Sequence, residues 1–240
     1  SRSSKLVHGG LRYLKEARFG LTRESVHERE ALLRQVPGLV EPQSFAFGDY
    51  QGRKPGRRLF QLGLAVYDMM AGQRERHYFG GDEFLMMAPN IARQGLHGGL
   101  RYTDAKTDDA RLVLRVLQEA RAHGAVALNY VEAKSLLREN GVVCGAQLRN
   151  AADGSVHEVR ARLVVNATGA WADGLRGQAG GAARLRPLRG SHLVLPAWRL
   201  PLAQAISLMH PVDGRPVFAF PWEGVTLVGT TDVDHGASLT

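Results

Sequence analysis

Cysteine is nearly missing from this sequence of 240 residues: Cys144 stands alone, so no intrachain disulfide can form, and the usage fits a reducing compartment. Lysine is scarce as well, limited to Lys5, Lys15, Lys54, Lys106 and Lys134, so arginine carries nearly all the positive charge. Long apolar runs are absent. The most apolar stretch, residues 59–70, is broken by Gln61 and Asp68 and falls far short of the roughly 20 residues that cross a bilayer. No charged-then-apolar leader follows Ser1, so no signal peptide is read, and the expectation is a soluble or peripheral protein. The short motifs that announce a nucleotide, a metal or a nucleophile are also missing: there is no GxGxxG, GxxxxGKS/T, HExxH, GxSxG or CxxC, and no metal site is expected.

What is present is a globular composition, 44% hydrophobic and 22% charged, with 28 glycines. That glycine content, about 12% against a usual ~7%, has no collagen period, which leaves tight turns and close backbone approach to a ligand as its reasons. The 31 Lys+Arg against 23 Asp+Glu give +8. Nucleic acid is the first partner such a charge suggests, yet the basic residues form only short clusters at 53–58, 74–76 and 184–189, with no zinc spacing, aromatic RNP strand or basic heptad helix. A solvated basic surface is the preferred reading, and attraction to an anionic substrate or an anionic lipid surface is the second.

Along the chain, residues 22–36 read as an amphipathic helix carrying Leu21, Leu32, Leu33 and Val36, stopped at Pro37-Gly38. Residues 41–56 read as loop. Leu59, Leu62, Val66, Met69 and Met70 recur at helical spacing, which predicts a helix over 58–71 whose stripe is read as core, with a membrane anchor as the other reading. Thr107-Asp108-Asp109 caps a further helix with an apolar face of Leu112, Val113, Val116, Leu117 and Ala120, closed by His123-Gly124. Then come a strand over 125–131, a meander over 134–137, 142–148 and 156–160 with turns at Asn140-Gly141 and Asp153-Gly154, and a short strand 163–166 running into Ala167-Thr168-Gly169. After Gly181 the strands 192–195, 217–220 and 225–228 lack helical periods and read as an antiparallel sheet. The hexapeptide His-Gly-Gly-Leu-Arg-Tyr occurs at 8–13 and 97–102 with unmatched flanks, a coincidence rather than a domain repeat.

Local chemistry alone leaves the sites open. The turn 166–169 has small residues whose backbone can approach a phosphate or ring, but any tight turn reads Thr-Gly. The stretch 1–10 is rich in hydroxyl and amide donors suited to a phosphate or flavin edge, but on local chemistry alone a disordered terminus is the preferred reading. His192 reads as a core histidine or as a general base.

Five blocks in order and register change this: Ser3-Ser4-Lys5-Leu6-Val7-His8-Gly9-Gly10-Leu11-Arg12-Tyr13-Leu14, Asp108-Asp109-Ala110-Arg111-Leu112-Val113-Leu114, Val165-Asn166-Ala167-Thr168-Gly169, Gly190-Ser191-His192-Leu193-Val194 and Gly229-Thr230-Thr231-Asp232-Val233. Together they resemble the FAD-dependent, quinone-linked glycerol-3-phosphate dehydrogenase family, from Ser1 to Thr240. The resemblance implies a glutathione-reductase-like α/β FAD-binding domain (α+β overall), incomplete, over 1–45 and 100–181. Interleaved with it is an antiparallel-sheet substrate domain over 46–99 and 182–240.

The resemblance also implies the sites. Ser3, Ser4, Lys5, Leu6, His8 and Gly9 match the loop along the flavin, and Ala167, Thr168 and Gly169 the turn by the FAD phosphates. Val131 falls at the strand end whose backbone meets the adenine. Ala170 stands where the family commonly has proline, with Trp171 kept. Arg12 and Tyr13 match positions at the substrate, and His192 the active-site histidine. Family members open with a strand and GxGxxG helix and continue to a later arginine and glycine-lysine loop, so the expectation is a central stretch of a longer enzyme that by itself neither holds FAD nor turns over. The enzyme as a whole is expected to use FAD, glycerol 3-phosphate and a quinone, to lie peripherally on an anionic membrane at the inner face of the cytoplasmic membrane, to bind no nucleic acid, and to be compatible with a homodimer. An oxidase giving electrons to oxygen and a basic binding module are the alternatives.

Overall fold

The structure is a computed structural model, and it describes residues 3–11, 13, 16–52, 56–72, 76–210 and 212–236. The chain forms two compact units: Ser1–Val116 with Gly190–Thr231, and Leu117–Arg189 with Asp232–Thr240. In chain order the first unit holds β1 (Leu6–Val7), α1 (Phe19–Gln35), β2 (Val40–Tyr50), α2 (Arg57–Ala71), β3 (His77–Gly80), α3 (Gly81–Met87) and β4 (Leu96–Thr107). Helix α4 (Asp109–Ala122) runs from it into the second unit, which continues with β5 (Val131–Glu139), β6 (Val142–Asn150), β7 (Val156–Arg160), a 3-10 turn (Gly169–Trp171), α5 (Ala172–Gln178) and β8 (Leu188–Arg189). The chain then returns to the first unit for β9 (His192–Pro196), β10 (Ala205–Met209), β11 (Pro216–Trp222) and β12 (Val225–Gly229), and ends in the second with β13 (Val233–Asp234).

The first unit is a curled sheet in the order β1-β4-β2-β10-β11-β12-β9, with β3 also on β4. Neighbours are antiparallel except β2 and β10. Successive strand side chains face opposite sides. Phe45 therefore joins Leu64, Leu100, Tyr102, Ala205 and Phe220 under α2, while its neighbour Ala46 joins Phe84, Ala88 and Ile206 under α3. Gly99 lets the second layer close: a Cβ there would lie 2.1 Å from a Phe84 ring carbon.

Of residues 41–56, expected as loop, 41–50 instead belong to β2, 51–52 form a turn, and 53–55 lie outside the described residues. Phe45, Ala46 and Phe47 are buried because β4 and β10 flank them on either side. Pro42 is tolerated because β10 pairs only with residues 45–47, leaving one side of Pro42 without a ladder to serve. Helix α1 forms where expected, but its buried side carries Thr22, Val26 and Arg29 rather than the leucines. Helix α2 also forms, but three of the five apolar positions read as core point outward, Leu59, Leu62 and Met69 being 64%, 63% and 74% exposed, while Val66 and Met70 are half-buried. What packs inward is the adjacent face, with Leu64 and Tyr67 buried and Phe60 against Phe47 at 4.3 Å between ring centroids. Strands β4 and β10 and helix α3 were not read from the sequence.

In the second unit β5, β6 and β7 form the expected antiparallel meander. Asn140 (φ 50) and Gly141 (φ 82) provide the two left-handed residues of its first turn. Glutamine 178 fixes α5 to the β5 edge: its side-chain oxygen accepts from Leu136 N (2.9 Å) and its amide donates to Lys134 O (3.2 Å). Asp108 caps α4 by accepting from Arg111 N at 3.1 Å, and Gly124 (φ 87) ends it, as expected. None of α4's side chains is buried, so its apolar face is not core among the described residues. Of the strand expected over 125–131 only Val131 joins a ladder, and the strand expected over 163–166 makes none, because no described strand runs beside these residues, and Val126 and Leu163 are largely exposed.

Candidate functional site

Loop 3–11 enters the sheet through β1, where Leu6 faces Lys106 and Val7 faces Ala105. Its start is tightly held. Ser3 Oγ accepts from Lys5 N (3.1 Å), Lys5 takes a left-handed φ of 60°, and Lys5 O accepts from Thr107 N at 2.9 Å. The Lys5 ammonium bonds Asp109 at 2.6 Å and lies 5.8 Å from the Trp222 ring, so its charge is compensated locally. Ser4 is half-buried and His8 exposed. The His8 and Tyr13 rings are 6.2 Å apart, and Tyr13 N donates to Gly10 O at 2.8 Å.

Beyond β1 the loop meets Asp104, which follows Leu100 and Tyr102 on the inward side of β4. One carboxylate oxygen, Asp104 Oδ1, accepts from Gly9 N at 2.8 Å, Arg29 Nη1 at 3.0 Å and the Tyr67 hydroxyl at 3.3 Å. Arg29 Nη1 also donates to Tyr67 Oη at 2.8 Å and to Thr103 O at 3.3 Å, while Glu30 takes the other edge of the guanidinium. Arg29, Tyr67 and Asp104 are 3%, 1% and 5% exposed. Burial raises the Asp104 carboxyl above the usual range, opposed by Arg29 and the Gly9 N–H. Burial, then the Asp104 charge, drives the Tyr67 hydroxyl far up. Arg29 stays charged, since Tyr67 and Asp104 outweigh the burial that opposes it. Only glycine fits at 9, because a Cβ would stand 2.1 Å from Tyr67 Oη and 2.9 Å from Val26 Cγ2.

His192 begins β9 opposite Gly229 of β12. Its ring lies on bare backbone, for a Cβ at 229 would be 2.4 Å from His192 Cδ2. The preceding residues are zipped to the 229–231 segment: Ser191 N donates to Thr231 Oγ1 (2.8 Å) and Thr231 N to Ser191 O (3.2 Å). Loop 3–11 and His192 thus belong to the same unit, and Leu6 and Leu11 pack on the same core cluster as Phe218, Trp222 and Leu227.

The second unit holds the other expected residues. Val131 opens β5 opposite Asn150. Asn166 Oδ1 accepts from Thr168 N (3.3 Å) and Thr168 Oγ1 (2.8 Å), and Asn166 Nδ2 donates to Ala172 O at 2.9 Å, so one asparagine shapes the whole turn. Gly169 has φ 60 with open space where a Cβ would point, and Trp171 is exposed. Arg12 lies outside the described residues.

These features fit FAD. The turn 167–169 offers backbone screened by nothing larger than a threonine side chain, and the loop offers hydroxyls and a rigid glycine backbone, the chemistry that phosphate and isoalloxazine edges require. Among the described residues no group of three His, Cys, Asp or Glu converges as a metal site. Sequence reading missed Arg29, Tyr67 and Asp104. Their signal was there: Thr22, Val26 and Arg29 share a helix face by i, i+4, i+7 spacing, and Leu100, Tyr102 and Asp104 share a strand face, so a charge interrupts each core-facing row.

The family described as DAO, FAD dependent oxidoreductase, matches residues 1–240. The aerobic glycerol-3-phosphate dehydrogenase of Bacillus subtilis (strain 168) is 38% identical over 100% of this chain and 44% of its own length. The glycerol-3-phosphate dehydrogenase from Bacillus halodurans, solved in complex with FAD, is similar with TM-score 0.76 and 30% identity over 99% of this chain and 40% of that one. The L-α-glycerophosphate oxidase from Mycoplasma pneumoniae, solved with FAD bound, shares the fold at TM-score 0.68 and 15% identity, over 97% of this chain and 61% of that one. The chain spans less than half the length of the curated relatives it matches. It belongs to the DAO family of FAD-dependent oxidoreductases.

Proposed function

We propose that this protein serves the oxidation of sn-glycerol 3-phosphate to dihydroxyacetone phosphate, with electrons passed on to a quinone. FAD, when bound, supplies the hydride acceptor. Loop residues Ser3, Ser4, Lys5, Leu6, His8 and Gly9 would lie along its flavin, Ala167, Thr168, Gly169 and Trp171 beside its phosphates, and Val131 at its adenine. The domain assignment proposed above follows these ligands, so it cuts across the two compact units. His192 takes the proton from the substrate hydroxyl as the carbon is oxidised, and Arg12, with Tyr13 beside it, steadies the negative charge that develops on that oxygen. The observation that carries the reading is the seating of His192: a half-buried imidazole held on the bare backbone of Gly229, its flanking residues zipped to Thr231. Rigid placement of this kind is what a general base requires.

A dehydrogenase rather than an oxidase is favoured because the 38% identical relative bears the dehydrogenase name, whereas the oxidase shares only the fold at 15%. Comparing quinone and oxygen as acceptors decides between them. Peripheral attachment to an anionic membrane is supported by the outward stripe Leu59, Leu62 and Met69 beside Arg57 and Arg58, and no helix among the described residues is long and apolar enough to cross a membrane. The family match over residues 1–240 leaves the basic-binding-module reading without support.

His192→Ala tests the role directly. In the full-length FAD-loaded enzyme kcat should fall about 10²–10⁴-fold, the range for loss of a general base, while bound FAD stays at the wild-type level. Wild-type turnover in that variant would reject the role.

A further inference from the structure

We propose that the buried Arg29–Asp104–Tyr67 cluster is a positioning device for the reaction: it fixes the His8–Gly9–Gly10 backbone, and through it the flavin face of the site. The inference rests on the reading that loop 3–10 lies along the flavin. Four separate parts of the fold meet at Asp104 Oδ1, namely the loop through Gly9 N (2.8 Å), α1 through Arg29 (3.0 Å), α2 through Tyr67 (3.3 Å) and β4, which carries the carboxylate itself. The loop contributes its main chain to this cluster, and it packs directly on the cluster, with no room for even a methyl group at position 9.

Stability alone is a poor reason for such a cluster. A buried ion pair is often matched or bettered by apolar residues of similar volume, whereas a fixed charge pair sets one geometry and penalises departures from it. The geometry it sets is that of a two-residue strand followed by a loop with Gly10 at φ 75, a segment with little sheet of its own to hold it. The phenol of Tyr67 flanks the directly bonded pair, taking a hydrogen bond from Arg29 (2.8 Å) and giving one to Asp104 (3.3 Å), so it braces the contact from one side. Arg29, Tyr67 and Asp104 are positioning residues in this account, acting on flavin and substrate through the loop.

The test uses the full-length FAD-loaded enzyme with Asp104→Asn, Tyr67→Phe, and the double variant Arg29→Gln/Asp104→Asn, reading kcat, KM, the visible flavin spectrum and the thermal midpoint. Asp104→Asn should lower kcat about 10- to 100-fold, the cost of sub-ångström misplacement at a distance, with KM nearly unchanged and the flavin band shifted. The double variant, which removes both charges of the pair and keeps an amide donor and acceptor while Glu30 loses its bonds to Arg29, should recover part of the loss. Tyr67→Phe should show the same spectral shift with a smaller loss of rate. A lowered thermal midpoint with wild-type kcat and flavin spectrum in all three would overturn the proposal. Should Asp104→Asn fail to fold, Tyr67→Phe decides by the same two readouts. A wild-type enzyme that binds FAD but leaves glycerol 3-phosphate unoxidised would instead remove the proposed substrate, and the flavin spectra would still judge the cluster.

Discussion

A single carboxylate oxygen, Asp104 Oδ1, illustrates how much one residue settles in this protein. Three donors converge on it from a loop and two helices, and all three side chains of the cluster are buried. Removing Arg29 leaves the buried Asp104 carboxylate without its charge partner, a penalty of about 3–5 kcal/mol, whereas removing Asp104 leaves Arg29 its ion pair with Glu30 at 2.7 Å. Gly9 is the most sensitive neighbour. Gly9→Ala drives a methyl group to within 2.1 Å of Tyr67 Oη and should cost roughly 1–3 kcal/mol by overpacking, together with FAD affinity. Adding Tyr67→Phe removes the nearest clashing atom and should return part of that stability; chemical denaturation of the two single variants and the double variant measures the coupling. The sequence shows Gly9 plainly, but its reason, an incoming tyrosine from a helix 58 residues away, comes from packing.

Elements were legible where local chemistry chose them and illegible where neighbours did. The α4 cap, the Asn140-Gly141 turn and the meander follow from capping and left-handed turn residues, and they formed as expected. Residues 41–56 read as loop because of the prolines and glycines in their second half, and 41–50 are strand because β4 pairs along them and β10 adds pairs at residues 45–47. The α2 stripe shows that an apolar period marks a face without saying whether that face is covered. In the second unit, Asp173 holds residues 184–185: its carboxylate accepts from Leu185 N at 2.8 Å and from Arg184 N at 3.0 and 3.1 Å, and these bonds pull its pKa below the ordinary value. A depressed folded-state pKa means that its contribution is present above the unfolded-state value and is lost as the pH falls through the folded one. The amide proton shifts of Arg184 and Leu185 should therefore titrate together, with a midpoint below that of an unperturbed aspartate, and Asp173→Asn should abolish the titration; NMR across acid pH reads both.

At the scale of the whole molecule, the proposed membrane attachment would draw on both the +8 charge and the outward apolar residues of α2. Binding to vesicles containing phosphatidylglycerol should weaken as salt rises, because exposed charges are screened within a Debye length of about 10 Å at 0.1 M. Replacing Leu59, Leu62 and Met69 by serine should weaken it about tenfold or more in co-sedimentation at fixed salt, since each buried CH₂ contributes about 0.8 kcal/mol. Equal binding by the triple variant would mean that the stripe meets something other than lipid. By itself the sequence determined the family, through five blocks in register, and the elements that carry their own caps and turns. The tertiary structure decided which apolar faces are covered, that residues 40–50 are sheet, and that Arg29, Tyr67 and Asp104 meet at the Gly9 backbone. The physical reason is range: capping and turn preferences act over a few residues along the chain, whereas burial and ion pairing depend on groups 38, 75 and 95 residues apart that only folding brings within hydrogen-bond reach.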